Sequence, residues 1–198
     1  MLPVFIPNEE VLTSLIERLS LEHHWLTEGL RCPSPHQSVR LKETISLIVL
    51  HCISLPAGHF ANRYVPALFT GTLSTKEHAD FADLEGVKVS AHVLIRREGT
   101  LLQFVPFDQA AWHAGVSAYQ GQSGCNEFSI GIELEGTEHS SYTDQQYQAL
   151  VPLIQLLQKG YSIPEDRVVG HADIAPGRKT DPGPGFDWDR FWRQLQAR

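Results

Sequence analysis

Two of the ten histidines directly follow short apolar segments and could bind a metal ion. His51 follows the branched, apolar run 45–50, and His171 follows Val168-Val-Gly170. If both segments are strands of one α/β sheet, the two imidazoles lie at its carboxyl edge, where such sheets bind ligands. A histidine at a strand end is more often a hydrogen-bonded or surface residue, so the spacing alone leaves that alternative open.

Asp181 supplies a carboxylate soon after His171, in the segment 177–185. Pro182 favours an extended backbone at Asp181, and the glycines on either side allow tight turns. Two neutral imidazoles and one carboxylate, with a fourth position open to water, form the ligand set of a catalytic zinc ion. The alternative is an ordinary Asp-Pro-Gly turn.

Glu133 is the candidate general base. It alternates with Ile132 and Leu134, so it lies on the opposite face of a predicted strand. On an inward face its pKa would rise through desolvation, and it could take a proton from a metal-bound water. On an outward face it would be a solvated carboxylate, which is what we expect of Glu135. Lys179 is either an ordinary surface lysine or a cation that stabilises a developing oxyanion.

Other catalytic motifs are missing from the sequence. Gly121-Gln-Ser-Gly124 lacks the spacing of a nucleophile elbow, and there is neither a paired-cysteine motif nor a His-Glu-x-x-His helix. Cys52 should point away from His51 on a regular strand, and we interpret it as a packed apolar residue. The segment Trp112-His-Ala-Gly115 predicts a small turn.

Composition limits the class of protein. The 198 residues carry 16 Lys+Arg and 23 Asp+Glu, a formal net charge of −7, which argues against a nucleic-acid partner. No apolar run has the length of a membrane span, and we identify no secretory signal. The three cysteines are odd in number and far apart, which favours a reducing compartment. We therefore expect a cytoplasmic protein with one main domain.

The periodicity predicts the elements that would position these residues. Strands are expected at 45–54, 129–134 and 167–170, with a hairpin over 89–105. Helices are expected at 8–19 behind an Asn8 cap, from a capping box at Thr143 with a kink or split at Pro152, and over 186–195. This order predicts an α/β domain with a central mixed sheet packed by helices.

Several collinear motifs between Trp25 and Trp192 resemble those of the AmpD-type N-acetylmuramoyl-L-alanine amidases. They are Arg31-Cys-Pro-Ser-Pro-His36, His51-Cys-Ile-Ser-Leu-Pro56, Leu68-Phe-Thr-Gly-Thr72, Ser90-Ala-His92, Trp112-His-Ala-Gly-Val116, Asn126-Glu-Phe-Ser-Ile-Gly-Ile-Glu-Leu-Glu-Gly136, Gly170-His171 and Lys179-Thr-Asp-Pro-Gly183. The resemblance implies a zinc amidase fold over 25–198, related to phage amidase lysozymes and peptidoglycan recognition proteins. Residues 1–24 form an N-terminal extension, which we expect to be a short helix packed on the domain.

By motif position, the resemblance implies that His51, His171 and Asp181 hold one zinc ion. It also implies that Glu133 is the general base and that Lys179 stabilises the oxyanion. The implied reaction cleaves the amide between the lactyl group of N-acetylmuramic acid and the L-alanine of the stem peptide. Cytoplasmic members of the family act on anhydro-muropeptides returned from wall turnover.

The implied partner is thus a small muropeptide, bound by a monomer without nucleic acid or membrane. We expect substrate contacts from Trp112, His113, Lys88 and His92. Two alternatives remain, a lytic amidase of the intact wall and a non-catalytic peptidoglycan-binding module, and the latter predicts a broken ligand set.

The sequence departs from the family pattern at several positions, none of which is an implied ligand. Cys52 replaces a common asparagine, and Asp80 replaces a tyrosine. Lys88 replaces an arginine, and Gly124 stands where a basic residue is common. Because lysine lacks the planar fork of arginine, the change at Lys88 affects how a substrate carboxylate would be held.

Overall fold

The computed structural model describes residues 9–41 and 44–197. Within these ranges the strands are β1 (Leu21–Glu22), β2 (Trp25–Leu26), β3 (Leu30–Arg31), β4 (Gln37–Val39), β5 (Leu47–Ile53), β6 (Val93–Ile95), β7 (Leu101–Gln103), β8 (Gln109–Ala111), β9 (Ala118–Tyr119), β10 (Gln122–Ser123), β11 (Ser129–Glu135) and β12 (Val168–Gly170). The α-helices are α1 (Glu9–Glu17), α2 (Tyr64–Phe69), α3 (Asp144–Tyr161), α4 (His171–Ile174) and α5 (Trp188–Gln196). Short 3-10 helices cover Thr75–Glu77, Ala79–Leu84, Cys125–Glu127 and Glu165–Arg167.

Six strands form a central mixed sheet in the order β12-β5-β11-β6-β7-β3. β5 is parallel to β11 and to β12, and β11 is also parallel to β6. β6 and β7 form the predicted antiparallel hairpin. The expectation of one mixed sheet packed by helices is confirmed.

Both faces of β5 are covered, which explains its apolar sequence. Ile48 and Leu50 pack in the main core, to which α3 contributes most of its buried residues. Leu47 and Val49 pack on the other face, in a smaller cluster with Phe128. A strand covered on both faces has no polar alternation, which is why the run 47–50 is continuously apolar.

Helix α3 begins with the predicted capping box. The Thr143 side chain accepts a hydrogen bond from the Gln146 N–H, and the Gln146 side chain accepts one from the Thr143 N–H. The helix then runs through Pro152 for 18 residues and is not split. Pro152 lies on a half-buried flank, while Leu150 and Ile154 pack fully buried in the main core. This packing offsets the hydrogen bond that proline removes.

The N-terminal helix α1 packs on the rest of the chain. Leu12 is buried and lies against Gly99 in the β6–β7 turn, and α1 contacts α3. The expected cap, Asn8, lies outside the described residues. The β1–β2 pair joins Leu21 to Leu26, so it bridges the predicted boundary between residues 24 and 25. None of the described helices is long and apolar enough to cross a membrane.

Candidate metal centre

Three side chains converge where β5 and β12 end. His51 lies near the end of β5, and His171 is the first residue of α4, directly after β12. The Asp181 Oδ2 atom lies 3.1 Å from the Nδ1 atoms of both histidines, and these two Nδ1 atoms are 2.9 Å apart. All three residues are buried, and their ligand atoms all lie within 4.8 Å of one another. The predicted meeting of the two strand ends is therefore present.

The chemistry of this group fits a divalent cation. Burial lowers the pKa of His51 to about 4, so its imidazole is neutral at pH 7. Burial opposes ionisation of Asp181, but its contacts with the His171 and His51 side chains outweigh this effect and hold the pKa below the usual range. A neutral imidazole, a carboxylate and a second imidazole, converging through one atom each, match the ligands zinc takes at catalytic sites. The His51–His171–Asp181 group could thus bind a metal ion.

Glu133 faces this group from the neighbouring strand. It is the register partner of His51 across the β11–β5 ladder and is only 9 % exposed. Its Oε2 atom has no hydrogen-bond partner among the described residues. Burial, followed by the negative charge of Asp181, raises its pKa well above the usual value, while Lys179 opposes the shift. A buried carboxylate with one free oxygen is suited to accept a proton.

The prediction for Glu135 was wrong, because its carboxylate is buried and not solvated. The residue is 3 % exposed. Its Oε1 atom accepts a hydrogen bond from the Ala61 N–H at 2.8 Å, and Oε2 accepts one from the Arg97 N–H at 3.2 Å. Backbone donors from two different loops thus replace the water that the sequence pattern suggested.

The converging group opens into a cleft of about 420 Å³. Glu133 and the exposed Lys179 line it together with the three candidate ligands. Trp112 and His113 also line the cleft. The cleft thus contains a candidate base and a candidate cation beside the candidate ligand set.

The loop that carries Asp181 is held by the segment that follows β11. The Tyr142 hydroxyl donates to the Pro182 carbonyl at 2.9 Å, and the Gly185 N–H donates to the Glu138 carbonyl at 3.0 Å. The Thr180 hydroxyl also donates to the Glu138 carboxylate. These contacts fix the position of Asp181 relative to the strand that carries Glu133.

The expected substrate-binding residues fall into three environments. Trp112 and His113 line the cleft. Lys88 is exposed, and its neighbour Val89 is the residue that lines the cleft. His92 is 0 % exposed, donates from Nε2 to the Gln109 carbonyl and accepts at Nδ1 from the Gly131 N–H. It therefore lies behind the cleft wall, and its expected direct contact with substrate is corrected.

Sequence reasoning missed the polar residues that hold the wall of the cleft. Arg40 donates to the carbonyls of Phe107, Asn126 and Ser129. The Asn126 and Ser129 side chains in turn bond to the turn 112–115. Nothing in the local pattern marks Arg40, whereas Asn126 could have been noticed as an amide a few residues before a buried strand.

Cys52 points to the opposite side of β5 from His51, as predicted. It packs against the main core, and burial raises its pKa to about 12. The thiol is therefore protonated at neutral pH and is not part of the candidate ligand group.

Comparison with known proteins identifies the family. The family model described as N-acetylmuramoyl-L-alanine amidase matches residues 41–184. The 1,6-anhydro-N-acetylmuramyl-L-alanine amidase AmpD of Salmonella typhimurium strain SL1344 is 55 % identical over 168 residues, which cover 84 % of this chain and 90 % of the relative. The Escherichia coli K12 protein of the same name is 54 % identical, over 86 % of this chain and 94 % of the relative.

Solved structures agree with the sequence relatives. A crystal structure of a selenomethionine derivative of AmpD matches with a TM-score of 0.86 and 52 % identity, over 88 % of this chain and 98 % of that chain. The Escherichia coli amidase AmiD, solved with the substrate anhydro-N-acetylmuramic acid-L-Ala-D-gamma-Glu-L-Lys, matches with a TM-score of 0.55 and 29 % identity, over 90 % of this chain and 66 % of that chain. The chain belongs to the N-acetylmuramoyl-L-alanine amidase family and is an amidase of this class.

Proposed function

We propose that this amidase is zinc-dependent and acts in the cytoplasm on anhydro-muropeptides recovered from the cell wall. It would hydrolyse the amide between the lactyl group of anhydro-N-acetylmuramic acid and the L-alanine of the stem peptide. One observation carries the proposal. A buried His51–His171–Asp181 group faces the unpartnered carboxylate oxygen of Glu133 across the β5–β11 ladder.

His51, His171 and Asp181 would hold the zinc ion. When bound, zinc supplies Lewis-acid polarisation of the scissile carbonyl and makes a water molecule more acidic. The complete ligand set speaks against a non-catalytic binding module, for which a broken set was expected.

Glu133 would act as the general base. Its raised pKa makes it a stronger base than an exposed carboxylate, and its free Oε2 atom has no competing partner among the described residues. It would accept a proton from the attacking water as the carbonyl carbon gains its new C–O bond. It would then return that proton to the alanine nitrogen as the C–N bond breaks, which leaves a lactyl carboxylate and a free amine.

Lys179 would stabilise the negative charge that develops on the carbonyl oxygen. It is exposed on the cleft wall two residues before Asp181. A fixed cation beside the reacting carbonyl stabilises the transition state more than the neutral ground state.

The names of the relatives support the anhydro-muropeptide substrate. The AmpD proteins are named as amidases of 1,6-anhydro-N-acetylmuramyl-L-alanine, and AmiD was solved with an anhydro-N-acetylmuramic acid peptide. The cytoplasmic setting rests on the three cysteines, which are odd in number and far apart in the sequence, a pattern that favours a reducing compartment.

A substrate comparison tests the proposal. Zinc-loaded enzyme should hydrolyse a soluble anhydro-muropeptide with a much higher kcat/KM than it releases peptide from intact sacculi. Removal of zinc by a chelator should abolish the reaction, and added zinc should restore it. The Asp181→Ala variant should bind zinc poorly and remain inactive after the same addition.

Two outcomes would contradict separate parts of the proposal. Preference for sacculi would replace the recycling role by a lytic one. Full activity after zinc removal, or in Asp181→Ala, would exclude the proposed metal site.

A further inference from the structure

A chain of three hydrogen bonds leads from a backbone carbonyl to His51. It begins at Ser129, whose Oγ atom lies 2.6 Å from the Cys125 carbonyl oxygen. A carbonyl only accepts, so the single hydroxyl proton of Ser129 is used in this bond. The same Oγ atom lies 3.1 Å from His113 Nε2 and must therefore accept from it. Hence His113 carries its proton on Nε2.

The protonation of His113 determines that of His51. A neutral imidazole has one ring proton, and the bond to Ser129 places it on Nε2, so the Nδ1 atom of His113 is bare. This Nδ1 atom lies 2.9 Å from His51 Nε2, which must donate to it. His51 is then left with a bare Nδ1 atom, the one that faces Asp181 and His171.

The next residue of the same turn acts on the second histidine. His171 Nε2 lies 3.3 Å from the carbonyl oxygen of Ala114, which also accepts from Arg178 Nη2 at 2.8 Å. Because a carbonyl cannot donate, His171 carries its proton on Nε2 in this bond. Its Nδ1 lone pair then points into the group as well.

The turn 112–115 is itself fixed to β11 and the segment before it. The Asn126 Oδ1 atom accepts hydrogen bonds from the His113 N–H at 3.1 Å and the Ala114 N–H at 2.8 Å. A Cβ atom on Gly131 would lie 2.4 Å from His113 Cγ, so only glycine lets the imidazole lie against the strand. The position of the ring is thus determined from two sides.

We infer that the turn 112–115 sets the tautomer of both candidate ligand histidines, and that His113 and Ser129 are positioning residues of the metal centre. The inference rests on the proposed zinc site. Hydrogen bonds of this kind orient metal-bound histidines and leave the correct nitrogen free for the metal. His113 thus acts through His51, in addition to lining the cleft.

A matched pair of variants at His113 tests the inference. Asparagine places its Oδ1 atom where His113 has Nδ1, so His113→Asn keeps an acceptor for His51, whereas His113→Leu removes it. We expect His113→Leu to weaken zinc binding by about 10–100-fold, and His113→Asn to bind zinc clearly more tightly than the leucine variant. Zinc affinity is measured by competition with a chelating dye, and circular dichroism checks that both variants fold.

Serine variants provide a second pair that tests the chain one step further away. Ser129→Ala should also weaken zinc binding, because His113 loses the acceptor that fixes its tautomer. Ser34→Ala is the matched control, since Ser34 is equally buried and its hydroxyl donates to a carbonyl, that of Phe69. It should bind zinc like the wild type even if it lowers stability.

Nitrogen-15 NMR of the histidine rings reads the tautomers directly. In the zinc-loaded wild type, His113 and His51 should both carry their protons on Nε2. A proton on His113 Nδ1, or equal zinc affinity for His113→Leu, His113→Asn and the wild type, would overturn this inference and leave the metal site intact. Failure of the wild type to bind zinc would overturn the proposed function and this inference with it.

Discussion

Glu133 and Glu135 lie two residues apart on the same face of β11, and both are buried. Their contacts differ. Glu135 accepts hydrogen bonds from two backbone N–H groups, whereas one oxygen of Glu133 has no partner among the described residues. Although both are glutamates on the same strand face, Glu133 is suited to proton transfer, whereas Glu135 is suited to holding loops.

The Glu133→Gln variant should retain zinc and lose activity. An amide cannot accept the proton of the attacking water, so kcat should fall by about 100-fold or more. The zinc content should stay near one ion per chain, because Glu133 is not one of the candidate ligands. Steady-state kinetics and metal analysis of the same sample check both points, and an unchanged kcat would remove Glu133 as the base.

The Glu135→Gln variant should show the opposite pattern. Glutamine offers one carbonyl oxygen, so the Ala61 or the Arg97 N–H loses its acceptor. A hydrogen bond to a charged group contributes about 1.5–3 kcal/mol, so losing one of the two should be measurable. We expect a lower free energy of unfolding in urea and a kcat close to that of the wild type. A large loss of kcat with unchanged stability would contradict this assignment.

At the residue scale, the sequence identified side chains by type and spacing but not by their surroundings. The sequence indicated His51, His171 and Asp181, and the structure places these three side chains together. The sequence could not show that Glu135 meets backbone donors from distant loops, or that His92 lies one layer behind the cleft. Burial of a polar side chain depends on which hydrogen-bond donors the fold places nearby. The alternation of polar and apolar residues along a strand does not indicate these donors.

At the scale of elements, the loop that carries Asp181 depends on close backbone approach. Gly183 has φ +78°, and a Cβ atom there would lie 2.5 Å from the Glu138 carbonyl oxygen. Gly177, in the same loop, has a similar φ of +76° but nothing within 4 Å of its position for a Cβ atom. An alanine at position 177 would therefore meet only backbone strain, whereas an alanine at position 183 would meet both backbone strain and steric overlap.

The Gly183→Ala variant should be destabilised and should bind zinc more weakly than the wild type. Both alanine variants incur about 1 kcal/mol for the positive φ. Gly183→Ala also overlaps with Glu138, which should add about 1–3 kcal/mol and displace Asp181. Gly177→Ala should keep the zinc affinity of the wild type. Urea unfolding and zinc titration check the pair, and equal behaviour of the two variants would contradict the role of the close contact.

Long elements could be predicted because their patterns are strong. β5 and β11 have apolar or alternating runs of strand length, and α3 has both a capping box and a buried face. Two-residue strands such as β1 and β9 are too short to show any period. The turn 112–115 was expected as a turn, but its place beside both histidines depends on Asn126, which acts from outside the segment.

At the scale of the whole molecule, the N-terminal helix is packed onto the sheet-and-helix core. Leu12 is 3 % exposed and contacts the turn between β6 and β7 near Gly99. The β1–β2 hairpin connects α1 to β3. The residues described before position 25 therefore share in the stability of the rest of the chain.

The Leu12→Ala variant should be less stable and remain active. Truncation of a buried leucine costs about 2–5 kcal/mol, because it leaves a cavity and loses apolar contacts. The helix lies outside the cleft lining, so kcat of the folded protein should not change. Ser14→Ala, on an exposed position of the same helix, is the control. If Leu12→Ala lowers the free energy of unfolding by less than about 0.5 kcal/mol, as is usual for a surface site, α1 contributes little to stability.

The contact between Ala114 and His171 uses a backbone carbonyl, so it is independent of the side chain at position 114. Any residue there that keeps the path of the chain would supply the same acceptor. Alanine scanning would therefore overlook this contact, and sequence comparison at this position would show no sign of it. Replacing the following amide by an ester, which makes the carbonyl a weaker acceptor, would reach it where side-chain mutagenesis cannot.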